Sequence, residues 1–402
     1  MVRTVALFVW GDVIERFLDP LGLDAAGFAE KMTGGWLFGY AEALWSAGIE
    51  PIIIAPSSQA SAVTTIRHRH SNTDIVFVPG RRVPSLWPSA QAVRRWATEP
   101  LRAFREVILA RGADALLCQE YEDARFDRLI GLGKALNIPV YATFQGGHLT
   151  RSMVERLVRT RTIAQAAGLI VASQEERERL RARYAGSLPT TVDIANPLRT
   201  DEWVGSDRAA ARAMLGLPDK GRIAICHGRI EIWRKGLDTL IAAWERVNRR
   251  PDDRLVIIGT GTDHDPFAKL LAVRNPSGVQ WIDRYTTDRA EMRQWLSAAD
   301  VFVSASRVEG MPVAPLEAMA CGLPVVGTDA QGMGDIVLGG AEPCGMIVPR
   351  VDDTALAAAI DAVFGDPMLR KRLSLAARRR VESHFSVTMV GQALATFLRS
   401  GS

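Results

Sequence analysis

Short apolar runs rich in Val and Ile alternate with longer stretches of helical periodicity along the whole chain. Runs of that length, bounded by Gly, Pro or Asp, read as buried strands. In the first half they fall at Val5–Trp10, Ile52–Ala55, Ile75–Val78, Ala115–Cys118, Val140–Phe144, Leu169–Ala172 and Thr191–Ile194. Between them, Leu37–Ala47, Val93–Ala110, Asp123–Leu136, Leu149–Ala167 and Glu175–Tyr184 predict helices. The second half repeats the alternation, with strands at Ile223–His227, Leu255–Ile258, Val279–Ile282, Val301–Ser304, Pro324–Val326 and Gly345–Val348. Gly236–Val247, Thr287–Ser297, Val313–Ala320, Ala355–Phe364 and the apolar Val387–Leu398 supply its helices. Such alternation predicts an α/β fold of parallel sheets with crossover helices. A chain of 402 residues exceeds one ordinary core, so two doubly wound, Rossmann-like domains are expected. Residues 1–195 would form the first and residues 200–386 the second, with Asn196–Trp203 as linker.

The sharpest local pattern lies between Ala299 and Asp329. A strand at Val301–Ser304 runs through a polar loop to Pro312, a helix follows, and Gly322 closes it. A loop of this kind presents unpaired backbone N–H groups and forms an anion seat. Two carboxylates, Glu309 and Glu317, bracket the turn with seven residues between them. A carboxylate would repel a phosphate there, so it is suited to accept hydrogen bonds from hydroxyls of a ribose or a sugar. Phosphate seat and hydroxyl readers together suggest a nucleotide-sugar site. In Cys226–Gly236, Arg229 and Lys235 sit in a loop after another strand, where both can reach that seat. They would neutralise a departing diphosphate, the arginine as a fork and the lysine as a point charge.

The stretch around Glu309 resembles the signature of the retaining, family 4 glycosyltransferases, carried by Glu309, Gly310, Pro312, Glu317, Ala318, Met319, Gly322 and Pro324. The resemblance implies the GT-B architecture: two sheets facing each other across a cleft, and a final helix, here 387–400, crossing back onto the first domain. It implies that Glu309 meets the donor sugar's hydroxyls, that Glu317 holds the ribose diol, and that amides near Gly310–Met311 meet the sugar or diphosphate. Arg229 and Lys235 match the family's register, and Gly228 and Pro312 are counted with the donor site. Gly34 and Gly35 match a glycine pair that brings N–H groups to the diphosphate from the first domain. Many relatives place a histidine at the end of the Val140–Phe144 strand; here Gln145 takes that register and His148 follows three residues later. Either is a candidate sugar contact. Arg284 and Tyr285 fall where relatives hold the nucleobase, and Asn196-Pro197 reads as a hinge.

Other features change the picture less. The loop Gly11–Met32, carrying Asp12, Glu15, Arg16 and Asp19, is long enough for an acceptor lid. Asp263 and Asp265 invite a metal reading, but no third ligand accompanies them and a solvated loop is favoured. No metal and no cofactor is therefore expected beyond the nucleotide sugar itself. Gly259-Thr260-Gly261 lacks the remainder of a dinucleotide fingerprint. A net charge of +4 is far from that of a dedicated nucleic-acid binder. Arg67-His68-Arg69-His70, Arg81-Arg82, Arg94-Arg95 and Arg151–Arg161, with Trp87, Trp96 and Phe104 among them, read as basic helical surface. Such a surface serves either as a solvated outer face or as a peripheral contact with an anionic membrane. Four scattered cysteines, the absence of a basic-then-apolar leader and the lack of a spanning run lead to a cytoplasmic expectation.

The reading is a retaining glycosyltransferase moving a hexose-type sugar, UDP-linked, onto a hydroxyl acceptor: a saccharide, small metabolite or lipid. The alternatives are an epimerase of the same architecture, a non-catalytic nucleotide-sugar-binding protein, and a dehydrogenase, which the missing fingerprint disfavours.

Overall fold

A computed structural model describes residues 2–9, 14–15, 19, 22–33, 35–82, 88–147 and 153–400. Asp12, Arg16, Gly34, Trp87, His148 and Arg151 lie outside the described residues. The chain divides into two units, Met1–Pro197 with Val387–Ser402, and Leu198–Ser386.

In the first unit the strands are β1 (Thr4–Phe8), β2 (Glu50–Ser57), β3 (Thr64–His68), β4 (Thr73–Pro79), β5 (Ala115–Cys118), β6 (Val140–Thr143), β7 (Gly168–Ile170) and β8 (Thr191–Val192). Their order in the sheet is β3-β4-β2-β1-β5-β6-β7-β8. All neighbours pair in parallel except β3 with β4, which are antiparallel. The central strands are buried along their whole length because helices cover both faces. The helix Val387–Ser400 belongs to this unit: Leu394 and Leu398 are buried, and Phe397 meets Tyr141 edge-on at 5.2 Å.

Several sequence expectations change here. Val93–Ala110 is two helices, Pro88–Thr98 and Leu101–Arg111, because Pro100 cannot continue the first. Within the expected lid, Ala25–Lys31 is a capped helix whose Phe28 packs on Phe38 and Phe77. The basic run Arg67–His70 is an edge strand and its turn, not a helix. His68 is buried, stacked 3.7 Å from Phe38 and bonded to Ser71 Oγ and the Met32 carbonyl. Arg159 is likewise no surface residue: it is fully buried, and Nε and Nη2 each bond an Asp127 carboxylate oxygen at 2.9 Å. Phe104 is core, and Trp96 lies under the Arg128 guanidinium at 4.3 Å.

The second unit holds β9 (Ile223–His227), β10 (Arg254–Ile258), β11 (Val279–Ile282), β12 (Val301–Ser304), β13 (Val325–Thr328) and β14 (Gly345–Val348). Their order is β11-β10-β9-β12-β13-β14, parallel throughout. The chain turns to opposite sides of the sheet from β9, towards β10 and towards β12, so the crevice beyond their carboxyl ends is the expected ligand seat. Among the described residues no helix is long and apolar enough to cross a membrane.

Candidate functional site

Two loops meet at the carboxyl ends of the adjacent strands β9 and β12. The first, Gly228–Gly236, includes the one-turn helix Ile232–Lys235; the second runs from Ala305 to Pro312 ahead of the helix Ala314–Ala320. Glycine makes the approach feasible. Gly236 has φ +60°, and a Cβ on it would lie 1.9 Å from the Ala305 carbonyl oxygen. Gly259 has φ +146°, and a Cβ there would lie 1.8 Å from the Gly228 carbonyl oxygen. The Gly259-Thr260-Gly261 run thus serves close backbone packing of the β9 and β10 loops.

Polar contacts stitch the loops together. The Arg307 N–H donates to the Arg234 carbonyl at 2.8 Å. The Arg307 guanidinium reaches the Trp233 carbonyl at 2.8 Å and grips both oxygens of Asp238 at 2.8 and 2.7 Å. Asp263 is not a solvated acid: its carboxylate accepts the Ile232 N–H at 2.8 Å and anchors the start of the short helix. Among the described residues, no group of three or more His, Cys, Asp or Glu side chains is placed to hold a metal ion.

The result is a pocket of about 420 Å³, open to solvent, with Gly228, Arg229, Lys235, Ser306, Glu309 and Pro312 in its walls. Lys235 Nζ lies 2.6 Å from Glu309 Oε1, which also accepts the Ser306 hydroxyl at 2.7 Å. Burial by itself would lift the Glu309 carboxyl; the Lys235 and Arg234 charges and these hydrogen bonds overcome it and hold the group below its ordinary value. Glu309 is therefore an anion in a buried place, and its Oε2 has no hydrogen-bond partner among the described residues.

Glu317 differs. It is buried in the helix Ala314–Ala320, and burial, only partly offset by the Arg289 charge, raises its carboxyl to about 8. His227 Nε2 stands 3.3 Å from Glu317 Oε2. Burial and the Lys235 charge push His227 down to about 4, against a backbone hydrogen bond at Ala314. The two groups meet in neutral forms. Tyr285, half-buried, is pushed up to about 12 by burial and the Glu317 charge, with Arg229 opposing. Arg229, Tyr285, His227 and Glu317 are thus close enough to sense one another.

Other expected residues fall elsewhere. Arg284 is exposed and paired with Glu291, so it is not part of the pocket wall. Gly310 and Met311 are buried behind the wall, where Gly332 packs on the Gly310 carbonyl and allows no Cβ. In the first unit Gly35, with φ +96°, caps the helix Trp36–Ser46. The Gln145 amide exchanges two hydrogen bonds with Asn196 at 3.0 Å, donates to Thr143 and bonds to Tyr40. Gln145 thus sits at a structural junction, and Asn196, read as a hinge, is its hydrogen-bond partner. Sequence reasoning missed Ser306, Arg307 and His227. A polar residue three positions before Glu309 was a signal for Ser306, whereas Arg307 reads as an ordinary loop cation.

Arg307→Ala should lower kcat/KM about tenfold to a hundredfold, because the loops carrying Lys235 and Glu309 lose their register. Arg307→Lys should recover little, since lysine cannot grip both Asp238 oxygens. Transfer kinetics beside a melting curve separate this from unfolding.

Residues 207–380 match the family model described as "Glycosyl transferases group 1". The chain is 31% identical over 221 residues to the GDP-mannose-dependent monoacylated alpha-(1-6)-phosphatidylinositol monomannoside mannosyltransferase of Corynebacterium glutamicum, covering 53% of this chain and 55% of that one. It is 31% identical over 233 residues to the D-inositol 3-phosphate glycosyltransferase of Jonesia denitrificans, covering 55% and 54%. The chain thus spans about half the length of these relatives. Among solved structures, sucrose-phosphate synthase from Thermosynechococcus elongatus superposes with a TM-score of 0.77 at 21% identity, over 99% of this chain and 98% of that one. HepE of Anabaena, solved with UDP and glucose, gives 0.72 at 17% identity over 98% and 99%.

Proposed function

We propose, from the premise that residues 207–380 belong to the group 1 glycosyl transferases and that the chain has the GT-B fold, that the protein moves a hexose-type sugar from a nucleoside-diphosphate sugar to a hydroxyl acceptor. The observation that carries this reading is the Lys235–Glu309 contact of 2.6 Å in one pocket with Arg229. The second unit takes the donor and the first takes the acceptor. Arg229 and Lys235 face the diphosphate, and Glu309 Oε2 accepts a hydrogen bond from a sugar hydroxyl. Glu317 and Tyr285 meet the nucleoside, with Glu317 on the ribose diol.

Transfer proceeds with retention. The bond from the anomeric carbon to the diphosphate breaks, the acceptor oxygen bonds on the same face, and its proton passes to the leaving phosphate oxygen. Charge grows on the diphosphate as the bond breaks, so cations fixed beforehand stabilise the transition state more than the ground state. Two side-chain cations there perform the neutralisation that a divalent ion performs elsewhere, so turnover should persist in a chelator. A UDP-linked donor is the first choice, in line with HepE, whose structure was solved with UDP. GDP is the second arm of the test, after the mannosyltransferase. Labelled UDP- and GDP-sugars offered with and without hydroxyl acceptors test the reading. Label in a larger product supports it; a nucleotide that binds but never turns over contradicts it.

The Glu317 environment adds a pH prediction. A ribose diol donates to the carboxylate, so the complex favours the ionised form while the empty site favours the acid. Nucleotide binding therefore releases a proton below about 8, and affinity should tighten with rising pH and level off above that value. The slope is at most about tenfold per pH unit for one proton. Titration calorimetry of the wild type should show this slope and Glu317→Gln should lose it. A wild-type affinity that falls as pH rises would contradict the assignment.

A further inference from the structure

Two buried polar groups of the second unit face each other without a hydrogen bond. His227, the last residue of β9, stands in the wall of the pocket that holds Lys235 and Glu309, with only 9% of its side chain exposed. Phe302 on β12 meets its ring edge-on at 5.5 Å, and the backbone at Ala314 bonds to one ring nitrogen. The other, Nε2, is buried and has no hydrogen-bond partner among the described residues. It faces Glu317 Oε2 at 3.3 Å. Glu317 is also buried, lies outside the pocket wall, and makes no side-chain hydrogen bond among the described residues. His227 is thus the side chain that joins the pocket to Glu317.

A buried polar group left without a partner destabilises the fold, so a facing pair of them beside a pocket marks a place that a ligand completes. The core histidine of the first unit, His68, is bonded on both ring nitrogens, to Ser71 Oγ at 2.7 Å and to the Met32 carbonyl at 2.6 Å. Burial and the Lys235 charge keep the His227 ring neutral. A neutral imidazole accepts the O–H of a carboxylic acid or donates an N–H to a carboxylate, according to which nitrogen carries its proton. In either state the ring fixes the plane of the Glu317 carboxyl. A carboxyl so fixed meets two neighbouring hydroxyls together. One that turns freely follows a single hydroxyl and loses less when the second is missing.

We infer that His227 is a positioning residue for the nucleoside: it holds Glu317 against both hydroxyls of a ribose and so makes the site select a ribonucleotide over its 2′-deoxy counterpart. This rests on the reading that Glu317 meets the ribose diol.

UDP and GDP, each beside its 2′-deoxy counterpart, are the probes, titrated calorimetrically into the full chain as wild type, His227→Phe, His227→Gln and Glu317→Gln. Phenylalanine keeps a flat ring but offers neither donor nor acceptor; glutamine offers both. For whichever base binds more tightly, the wild type should prefer the ribonucleotide by about tenfold or more. His227→Phe should bring that ratio close to one, and His227→Gln should recover most of it. The ratio compares two ligands on one preparation, so a loss of folded protein cancels. A ratio that survives in His227→Phe but collapses in Glu317→Gln overturns the inference and leaves the ribose reading standing. A glutamine variant no better than phenylalanine overturns the inference as well. A ratio near one in the wild type, or one that survives in both His227→Phe and Glu317→Gln, overturns the ribose reading along with it.

Discussion

Lys235→Ala is expected to cut turnover about a hundredfold to a thousandfold while the chain stays folded, the size seen when one preorganised charge is removed from a transition state. Lys235 Nζ lies 2.6 Å from Glu309 in the wall of the pocket, so in the proposed reaction one ammonium group would serve both the acid and the leaving group. Without it, Glu309 loses the main charge that holds its carboxyl down and keeps only Ser306 and the more distant Arg234. The sign of the pH effect follows. A carboxyl held below its ordinary value adds stability above the unfolded pKa, and that stability is lost as pH falls through the folded pKa. In Lys235→Ala the carboxyl rises towards or past its ordinary value, so this acid-side loss of stability should be smaller than in the wild type. Single-turnover transfer with a labelled nucleotide sugar, beside melting curves across acid pH, checks both parts. A variant with wild-type turnover would remove Lys235 from the chemistry.

Gly236→Ala should have a large effect on stability. The residue has φ +60° and its added Cβ would fall 1.9 Å from the Ala305 carbonyl oxygen, a backbone atom with no rotamer to change. Left-handed strain and overpacking together cost about 3 kcal/mol or more. Relief requires the loops after β9 and β12 to separate, which also pulls Lys235 from Glu309. Melting temperature and turnover should therefore fall together, in contrast with Lys235→Ala. By comparison Gly228→Ala meets no neighbouring atom within 4 Å and pays only for its φ of +144°. Calorimetry on the two variants should rank Gly236→Ala as the more destabilised; the reverse order would refute the close approach.

How much of this was legible in the sequence depended on burial and on sequence distance. Ala115–Cys118, Ile223–His227, Val301–Ser304 and Gly345–Val348 form strands at the expected boundaries, because a wholly or largely apolar run between turn residues has few other fates. Thr64–His68 escaped, since an edge strand is mostly exposed and its Arg and His residues mimic a solvated helix. Lys235 and Glu309 were readable because each follows a buried strand in a loop at its carboxyl end. Arg307 was not: its partner Asp238 lies 69 residues away, and nothing local distinguishes it from a surface cation. The Gln145–Asn196 pair was hidden for the same reason, its members lying 51 residues apart. The left-handed Gly236 and Gly259 were visible as glycines, but the backbone atoms that demand them come from other strands.

The central claim is that Arg229 and Lys235 grip a diphosphate in the second unit's pocket. Titrating UDP and GDP, and then the matching nucleosides, into wild type and Arg229→Ala/Lys235→Ala tests it most directly. The account predicts that the double variant loses about a hundredfold or more in nucleoside-diphosphate affinity, the worth of two charge-assisted contacts, while nucleoside affinity changes little. Equal loss for nucleoside and nucleoside diphosphate, or no loss for either, would contradict it.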